Sequence, residues 1–515
     1  MLKHSSIIKQ VLKLSIPVIF TNLLQSLVAI ADVYIAGRLG SIEIAAVGLS
    51  NSVRFLMFFS VMAVTAGEMA LAAQAYGSGD KKRLQHVGEQ SIVLTVLIAL
   101  GIMLLGFITI DPLLAFMNHG GDAQVVILAA SYLKWIFAGA VFLMLNFSVN
   151  SLMQATGDTF TPMVLSIIVV GLNILTSYAF AFGFGPIPAL GLVGIAVGTV
   201  SSRMIGAFLG LFILFAHWTR AYIKKLHNKP DWGLYKDILV IGIPSALQGI
   251  ARNGANIFLY RIINATAAAS FGVAALAVGL QIESLAFMPG IAIGVAATSL
   301  VGQAVGRWQL KEAKISGDIA MLLAMIVMGL IAIPIYIFAP DLIHFFDKEA
   351  NPIVIKAGTD YLRINAVFEP ILAVAMVLSF ALRGAGDTRP GLESTIIGRW
   401  LVMLPFAYIL AVRFGYGVTA VWWAMVLAMI VSAIYLFVRW QSKAWQKTAL
   451  KTTAIYKTHL VHLSPLKQEE FLQTIKIPLM ENKKAVEEIT EHTVKYHLGN
   501  ETVEVNFVDG DYTVV

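Results

Sequence analysis

Asp32 stands in the apolar run IADVYIAG, with Gln25 seven residues and Asn22 ten residues earlier on nearly the same face of a helix. A carboxylate in such surroundings is costly as a bare ion, so the chemistry open to it is the holding and release of a proton or a sodium ion. Its structural alternative is a cap or an ion pair near the outer interface. Glu283 and Arg54 are further ionisable groups in apolar stretches. Either they face a central cleft, where Glu283 would attract a cation, or they pair with neighbours and hold helices together. Gln248, Arg252 and Asn256 form an i, i+4, i+8 stripe. Arg252 lines a cavity or binds a lipid phosphate on one reading, and snorkels to the surface on the other. Asn365 and Glu369 stand one turn apart before Pro370. These are groups for binding and ion exchange. The chain shows no Gly-Lys-Ser phosphate loop, HExxH or nucleophile elbow, and it has no cysteine for a disulfide or thiolate metal site. No catalytic residue, metal ligand or cofactor is therefore expected, apart from a coupling proton or sodium ion.

The elements that position these groups are membrane helices. Hydrophobic residues make up 58% of the 515 and charged ones 13%, a balance foreign to soluble domains of this length. The mean hydropathy of +0.78 agrees. Crossing about 30 Å of hydrocarbon takes roughly 20 helical residues. Twelve spans meet this, near 14–37, 42–72, 89–110, 124–154, 162–183, 190–216, 237–263, 271–301, 317–338, 354–381, 391–413 and 417–440. The expected fold is thus an all-α polytopic membrane protein of two six-helix lobes, at 1–216 and 237–447, joined by a basic linker at 217–236. A small polar extension covers 448–515.

Basic residues set the orientation, because Lys and Arg collect in cytoplasmic loops. Lys81, Lys82 and Arg83 follow the second span; Arg220, Lys224, Lys225, Lys229 and Lys236 lie between the sixth and seventh; Arg307, Lys311 and Lys314 follow the eighth. Arg383, Arg389, Arg439, Lys443 and Lys447 continue the series, while the opposite loops FGPIPALG and APDLIHFFDKEANP hold only Lys348. Both termini are expected in the cytoplasm, with the start of the chain an uncleaved first helix. The net charge of +7 is then a topology signal and not a nucleic-acid footprint.

The halves are copies at an offset of 229 residues. GDT at 157–159 matches GDT at 386–388, AQAYG at 73–77 matches GQAVG at 302–306, and Tyr132-Leu133-Lys134 matches Tyr361-Leu362-Arg363. Arg54 and Glu283 occupy equivalent positions with opposite charge. An even number of spans separates the copies, so they face the same way about an axis along the membrane normal. Each GDT is the same turn, between spans four and five and between ten and eleven. A duplicated bundle of this kind suits alternate opening to either side, hence transport.

With Pro17, ADVYIAGRLG at 31–40, AAVGLS at 45–50, ESLAFMPGIAIGVAATSLVGQAVG at 283–306 and LRGAGDTRP at 382–390, the chain resembles the multidrug and toxic compound extrusion (MATE) transporters, in their prokaryotic branch. The likeness covers roughly residues 10–445. It implies a V-shaped pair of six-helix lobes that export amphipathic, often cationic, compounds in exchange for protons or sodium ions. Asp32 then falls on the family's first-helix coupling carboxylate. Asn173 resembles the fifth-helix Asn of the amino-terminal polar network and Thr199 its sixth-helix Thr, with Asn150 positioned to complete the set. Ser177 stands where a second Asp often occurs, which favours protons over sodium. The structural alternative for these neutral residues is ordinary interhelical hydrogen bonding. The seventh-helix acidic residue of the NorM-like branch is not evident, and Glu369 does not fall squarely on the family's tenth-helix Asp. Met57, Phe58, Phe59, Phe287 and Met288 would suit a promiscuous site, or serve as packing and lipid-facing residues.

The resulting expectation is a monomeric, multi-pass antiporter of the inner (plasma) membrane, in contact with lipids and amphipathic small molecules but not nucleic acid. The competing readings are a flippase of a lipid-linked precursor, which should carry a strongly cationic cavity, and a membrane-embedded enzyme. The likeness does not extend to the tail. There KQEEFLQTI and ENKKAVEEITEH read as short helices and KYHLGNETVEVNFVDGDYTVV as β-hairpin around GN and DG. His459, His462, His492 and His497 have no metal-ligand spacing.

Overall fold

The computed structural model describes residues 2–117, 122–186, 188–216, 221, 223, 229–346, 351–449 and four short strands between 486 and 514. Arg220, Lys224, Lys225, Lys348, the KQEEFLQTI segment, His459, His462 and His492 lie outside the described residues.

The apolar runs fold as helices because a backbone in hydrocarbon must satisfy its own hydrogen bonds. In chain order they are α1 (Leu2–Leu39), α2 (Ser41–Gly77), α3 (Lys81–Met117), α4 (Ala123–Ala138), α5 (Ala140–Ala155), α6 (Phe160–Phe182) and α7 (Leu192–Phe215). The second half has α8 (Trp232–Asn264), α9 (Ala269–Gly306), α10 (Leu310–Ile337), α11 (Ala339–Phe346), α12 (Pro352–Gly384), α13 (Arg389–Thr395), α14 (Leu404–Ala407) and α15 (Val418–Gln441). Among the described residues, eleven helices are long and apolar enough to cross a membrane, and α4 with α5 makes a twelfth span bent by 49°. Twelve spans fit, as the hydropathy reading expects. The eleventh is irregular: π-helical turns at Ile396–Met403 and Tyr408–Arg413 flank the short α14. The APDLIHFF stretch, read from sequence as loop, is the helix α11.

Both GDT turns share a backbone device, with Gly157 at φ 80° and Gly386 at φ 84°, the left-handed region that glycine enters without steric cost. Their aspartates diverge. Asp158 accepts from the backbone N–H and hydroxyl of Thr161, whereas Asp387 accepts two bonds from Arg439, at 3.0 and 2.8 Å.

The halves join at the face carrying these turns. The first residues of α1, Ile7, Val11 and Leu14, pack in the core of the second half, while Leu234, Tyr235, Ile238 and Ile241 at the start of α8 pack in the core of the first. Between them α2 and α9 meet through symmetry-related contacts. Beside that crossing, Gln74 of α2 donates to the Gly384 carbonyl of α12 (3.2 Å) and Gln303 of α9 to the Ala155 carbonyl of α5 (2.9 Å). A Cβ on Gly77 would overlap the Gln303 carbonyl, and one on Gly306 would overlap the Gln74 carbonyl. Along α2 and α9 residues 64–75 and 292–306 are mostly buried, while Asn51, Phe58 and Leu285, farther from the GDT face, are exposed.

The segment entering α8 is held by Asp231, which caps the helix through the Leu234 N–H (3.0 Å) and bonds His86 of α3 (2.9 Å). Desolvation works to raise the Asp231 pKa, yet the His86 and backbone hydrogen bonds outweigh it and hold the carboxyl below its ordinary 3.8. A lowered folded-state pKa contributes stability above the unfolded value that is lost as pH falls through the folded one. Thermal midpoints should therefore drop on acidification below about pH 4, and Asp231→Asn should remove that component while leaving the neutral and alkaline profile parallel to wild type.

In the tail, β1 (Val486–Ile489), β2 (Thr493–Leu498), β3 (Glu501–Val508) and β4 (Asp511–Val514) pair antiparallel in sequence order. The closing pairs Leu498↔Glu501 and Val508↔Asp511 put two-residue connections at GN and DG, as expected for hairpins. The ENKKAVEEITEH expectation needs correction, since residues 486–489 are strand: pairing with β2 overrides a local helical preference that periodicity alone had favoured.

Candidate functional site: paired polar centres in the two lobes

In the first lobe, α1, α2, α4, α6 and α7 bring together one carboxylate, two guanidiniums and a set of neutral oxygens. Asp32 is 3% exposed, and its Oδ1 is buried without a hydrogen-bond partner. Arg54 of α2 and Arg203 of α7 are the charged groups acting on it. Arg203 is fixed by donating to Gln25 (2.7 Å), and its carbonyl accepts from Asn146 (2.6 Å). Arg54 reaches Asn51 and the Tyr132 hydroxyl, each at 3.3 Å. Next to this group α6 and α7 pack closely. Asn173 donates to the Thr199 hydroxyl (3.0 Å), the Asn173 Oδ1 is left buried and unpartnered, and Ser177 donates to the Ile195 carbonyl (3.3 Å).

The structure thus brings Asp32, Gln25, Asn173, Thr199 and Ser177 into one region, and Asn22 adds a buried amide nitrogen without a partner. Asn150 does not complete the set. It is half-buried, and the residue that ties this span to α7 is Asn146, one turn earlier. Arg203 went unnoticed in the sequence reading, although a lone arginine within the sixth apolar span was a visible signal.

The second lobe builds its counterpart from α8, α9, α12 and the π-helical turn before α14. Glu283 accepts a short hydrogen bond from the Tyr361 hydroxyl. Since 361 and 283 are the repeat equivalents of 132 and 54, the same tyrosine clasps an arginine in one lobe and a glutamate in the other. Arg54 and Glu283 each pair with the equivalent tyrosine. Glu283 is 8% exposed and is not an open wall of a cleft. Asn365 donates to the Tyr361 carbonyl (3.0 Å), and Tyr361 stacks edge-on against Trp422 at 5.0 Å. Glu369 is buried with Oε2 unpartnered, and the Glu283 carboxylate acts on it. Arg399, on the π-helical turn, donates to Asn256 (3.1 Å) and acts on Glu283. Arg252 is exposed, and its charge acts on Arg399, while Gln248 packs beside Gly391. The stripe on α8 therefore faces the irregular eleventh span. π-Helical turns cluster at functional sites, and this one carries the half-buried Arg399.

Tyr361→Phe would strip Glu283 of its donor in a dry setting, a loss of about 1–3 kcal/mol. The thermal midpoint of the purified protein should fall. In a double-mutant cycle with Glu283→Ala, which removes the acceptor, the two losses should be less than additive, because both remove one bond.

Two repeated lobes of membrane-spanning helices, each burying a carboxylate among its helices, mark a transporter of the duplicated type. The chain belongs to the MatE family, whose model matches it twice, at residues 17–179 and 244–409. Over 448 residues it is 29% identical to a probable multidrug resistance protein NorM of Thermotoga maritima, covering 86% of this chain and 94% of that one. Among solved structures it is similar to a MOP superfamily transporter from Pyrococcus furiosus, with a TM-score of 0.78 and 25% identity over 88% of this chain and 97% of that one. An outward-facing multidrug resistance MATE transporter gives the same score and identity over 87% and 96%.

Proposed function

We propose that the protein exports amphipathic, often cationic, drugs or metabolites across the inner (plasma) membrane in exchange for protons, with both termini in the cytoplasm. The observation that carries this reading is Asp32, buried with a free carboxylate oxygen between Arg54 and Arg203. While ionised, Asp32 offsets the two guanidiniums. Once protonated it leaves them uncompensated, and the rise in positive potential drives a cationic compound out of the lobe. Proton binding and substrate binding thereby oppose each other, as exchange requires. Protons are favoured over sodium because a sodium ion needs several anionic or carbonyl oxygens, and the position four residues after Asn173 offers only the Ser177 hydroxyl beside two cations.

The close approach of α2 to α9 at Gly77 and Gly306, with the glutamine bonds from α2 to α12 and from α9 to α5, supports a state closed at the GDT face, here assigned to the cytoplasm from the basic loops. The molecule would then release substrate on the opposite side, and rocking of the lobes would open the GDT face for loading. The test is efflux of a fluorescent lipophilic cation from vesicles under separately imposed proton and sodium gradients. Transport driven by the sodium gradient alone would replace the proton assignment, and transport under neither would favour the flippase.

A further inference from the structure

We infer that Glu68 of α2, with the hydroxyls of Ser148 and Ser151 of α5, forms a second exchange site for a small monovalent cation, a proton or sodium ion, independent of Asp32.

Glu68 has no exposed surface. One carboxylate oxygen accepts from Ser148 of α5 (2.7 Å), and the other, Oε1, is buried without a partner. Beside it Ser151 donates to the Thr65 carbonyl (3.1 Å). α2 and α5 thus bring carboxylate and hydroxyl oxygens together within a single packed core.

Buried polar atoms are almost always satisfied, and an orphaned carboxylate oxygen with no exposed surface identifies a place that gains a bound species in another state. The interactions acting on Glu68 come from Ser148 and Ser151. At comparable depth α3 carries Glu89 and α8 carries Tyr235, while His86 is engaged by Asp231. α5 has no titratable side chain, nor has residues 289–306 of α9. α1 contributes the exposed Lys9 and Lys13, and α12 contributes Arg383, held over Phe380. The groups on α4, Tyr132 and Lys134, belong to other partners, Arg54 and Asp111. An oxygen-only set around one carboxylate takes a proton or a hard cation and has no chemistry for an anion.

The site's place gives it a consequence. Gly67, the residue before Glu68, packs its α-carbon against the Ile238 backbone of α8, so α2 is in close interlobe contact at this level. A change of charge here alters how α2 is clipped to α5 within its own lobe, at the point where it meets the other. Loading of this site is therefore tied to closure of the GDT face.

The test is infrared difference spectroscopy of the purified full-length protein in lipid nanodiscs, taken between acid and alkaline pH and, at fixed pH, with sodium chloride against choline chloride. A protonated-carboxyl band should bleach in the wild type and in Asp32→Asn, and be missing in Glu68→Gln. Glu68→Asp should restore a shifted band. Bleaching by pH alone assigns a proton, and bleaching by sodium at constant pH assigns sodium. A difference spectrum of Glu68→Gln identical to wild type, in protein that keeps its helical circular dichroism, overturns the site. Because Asp32→Asn is read separately, the result does not stand or fall with Asp32 coupling.

Discussion

Proteoliposomes carrying Asp32→Asn should show no uphill movement of a lipophilic cation when a pH gradient is imposed, while wild-type vesicles concentrate it. A one-for-one exchange across one pH unit carries about 1.4 kcal/mol, enough for a roughly tenfold substrate gradient. The asparagine variant resembles the protonated carboxyl in shape but cannot release a proton, so that ratio should collapse to about one. Its binding of the cation should also lose pH dependence, since Arg54 and Arg203 would stay uncompensated at every pH. The side chain is buried between α1, α2 and α7, and the isosteric change leaves Gln25–Arg203 and Asn173–Thr199 in place, so the fold should persist. Undiminished transport would move coupling to the second lobe, where Glu283 and Glu369 are the buried carboxylates.

Much of this geometry was legible from residue order because membrane constraints are severe. Apolar length gave the spans, basic loops gave an orientation to propose, and the 229-residue register gave the duplication that both GDT turns share in backbone conformation. Asp32 was legible since a carboxylate inside an apolar run has no inert explanation of comparable weight. Its partners were harder to read. Arg203 comes from a helix separated by more than a hundred residues, and nothing in VSSR says which way that arginine turns. Asn150 and Asn146 sit one turn apart on the same helix, so spacing could not choose between them, and only the contact of Asn146 with the Arg203 carbonyl tells them apart. Glu68 was hidden by its company, because GEMALAAQ reads as small-residue packing until Ser148 is seen across the interface. Arg399 depended on π-helical turns, which shift side-chain directions off the period that a sequence reading assumes. The tail shows the opposite limit: turn residues located the hairpins, but β1 owes its strand to a partner that local propensity does not include.

The second large effect should come from the crossing of α2 and α9. In the double variant Gly77→Ala/Gly306→Ala each new methyl would overlap a carbonyl of the facing helix, and neither Gln303 nor Gln74 can retreat without moving its backbone. Such overpacking costs about 1–3 kcal/mol, a factor of roughly 5–150 in the balance of two states that differ in this contact. The penalty falls on the arrangement closed at the GDT face alone, because the glycines part when that face opens. The chain has no cysteine, so spin labels at Lys82→Cys and Lys311→Cys, exposed and equivalent in the two repeats, report the separation directly. Wild-type protein should give a dominant short distance, and the double variant a shift of population to a longer one with a matching loss of outward release. Gly101→Ala, a helical glycine with open space around it, should leave the distribution unchanged. If the double variant also left it unchanged, the α2–α9 contact would not be the gate, and the paired glutamine bonds would be static bracing.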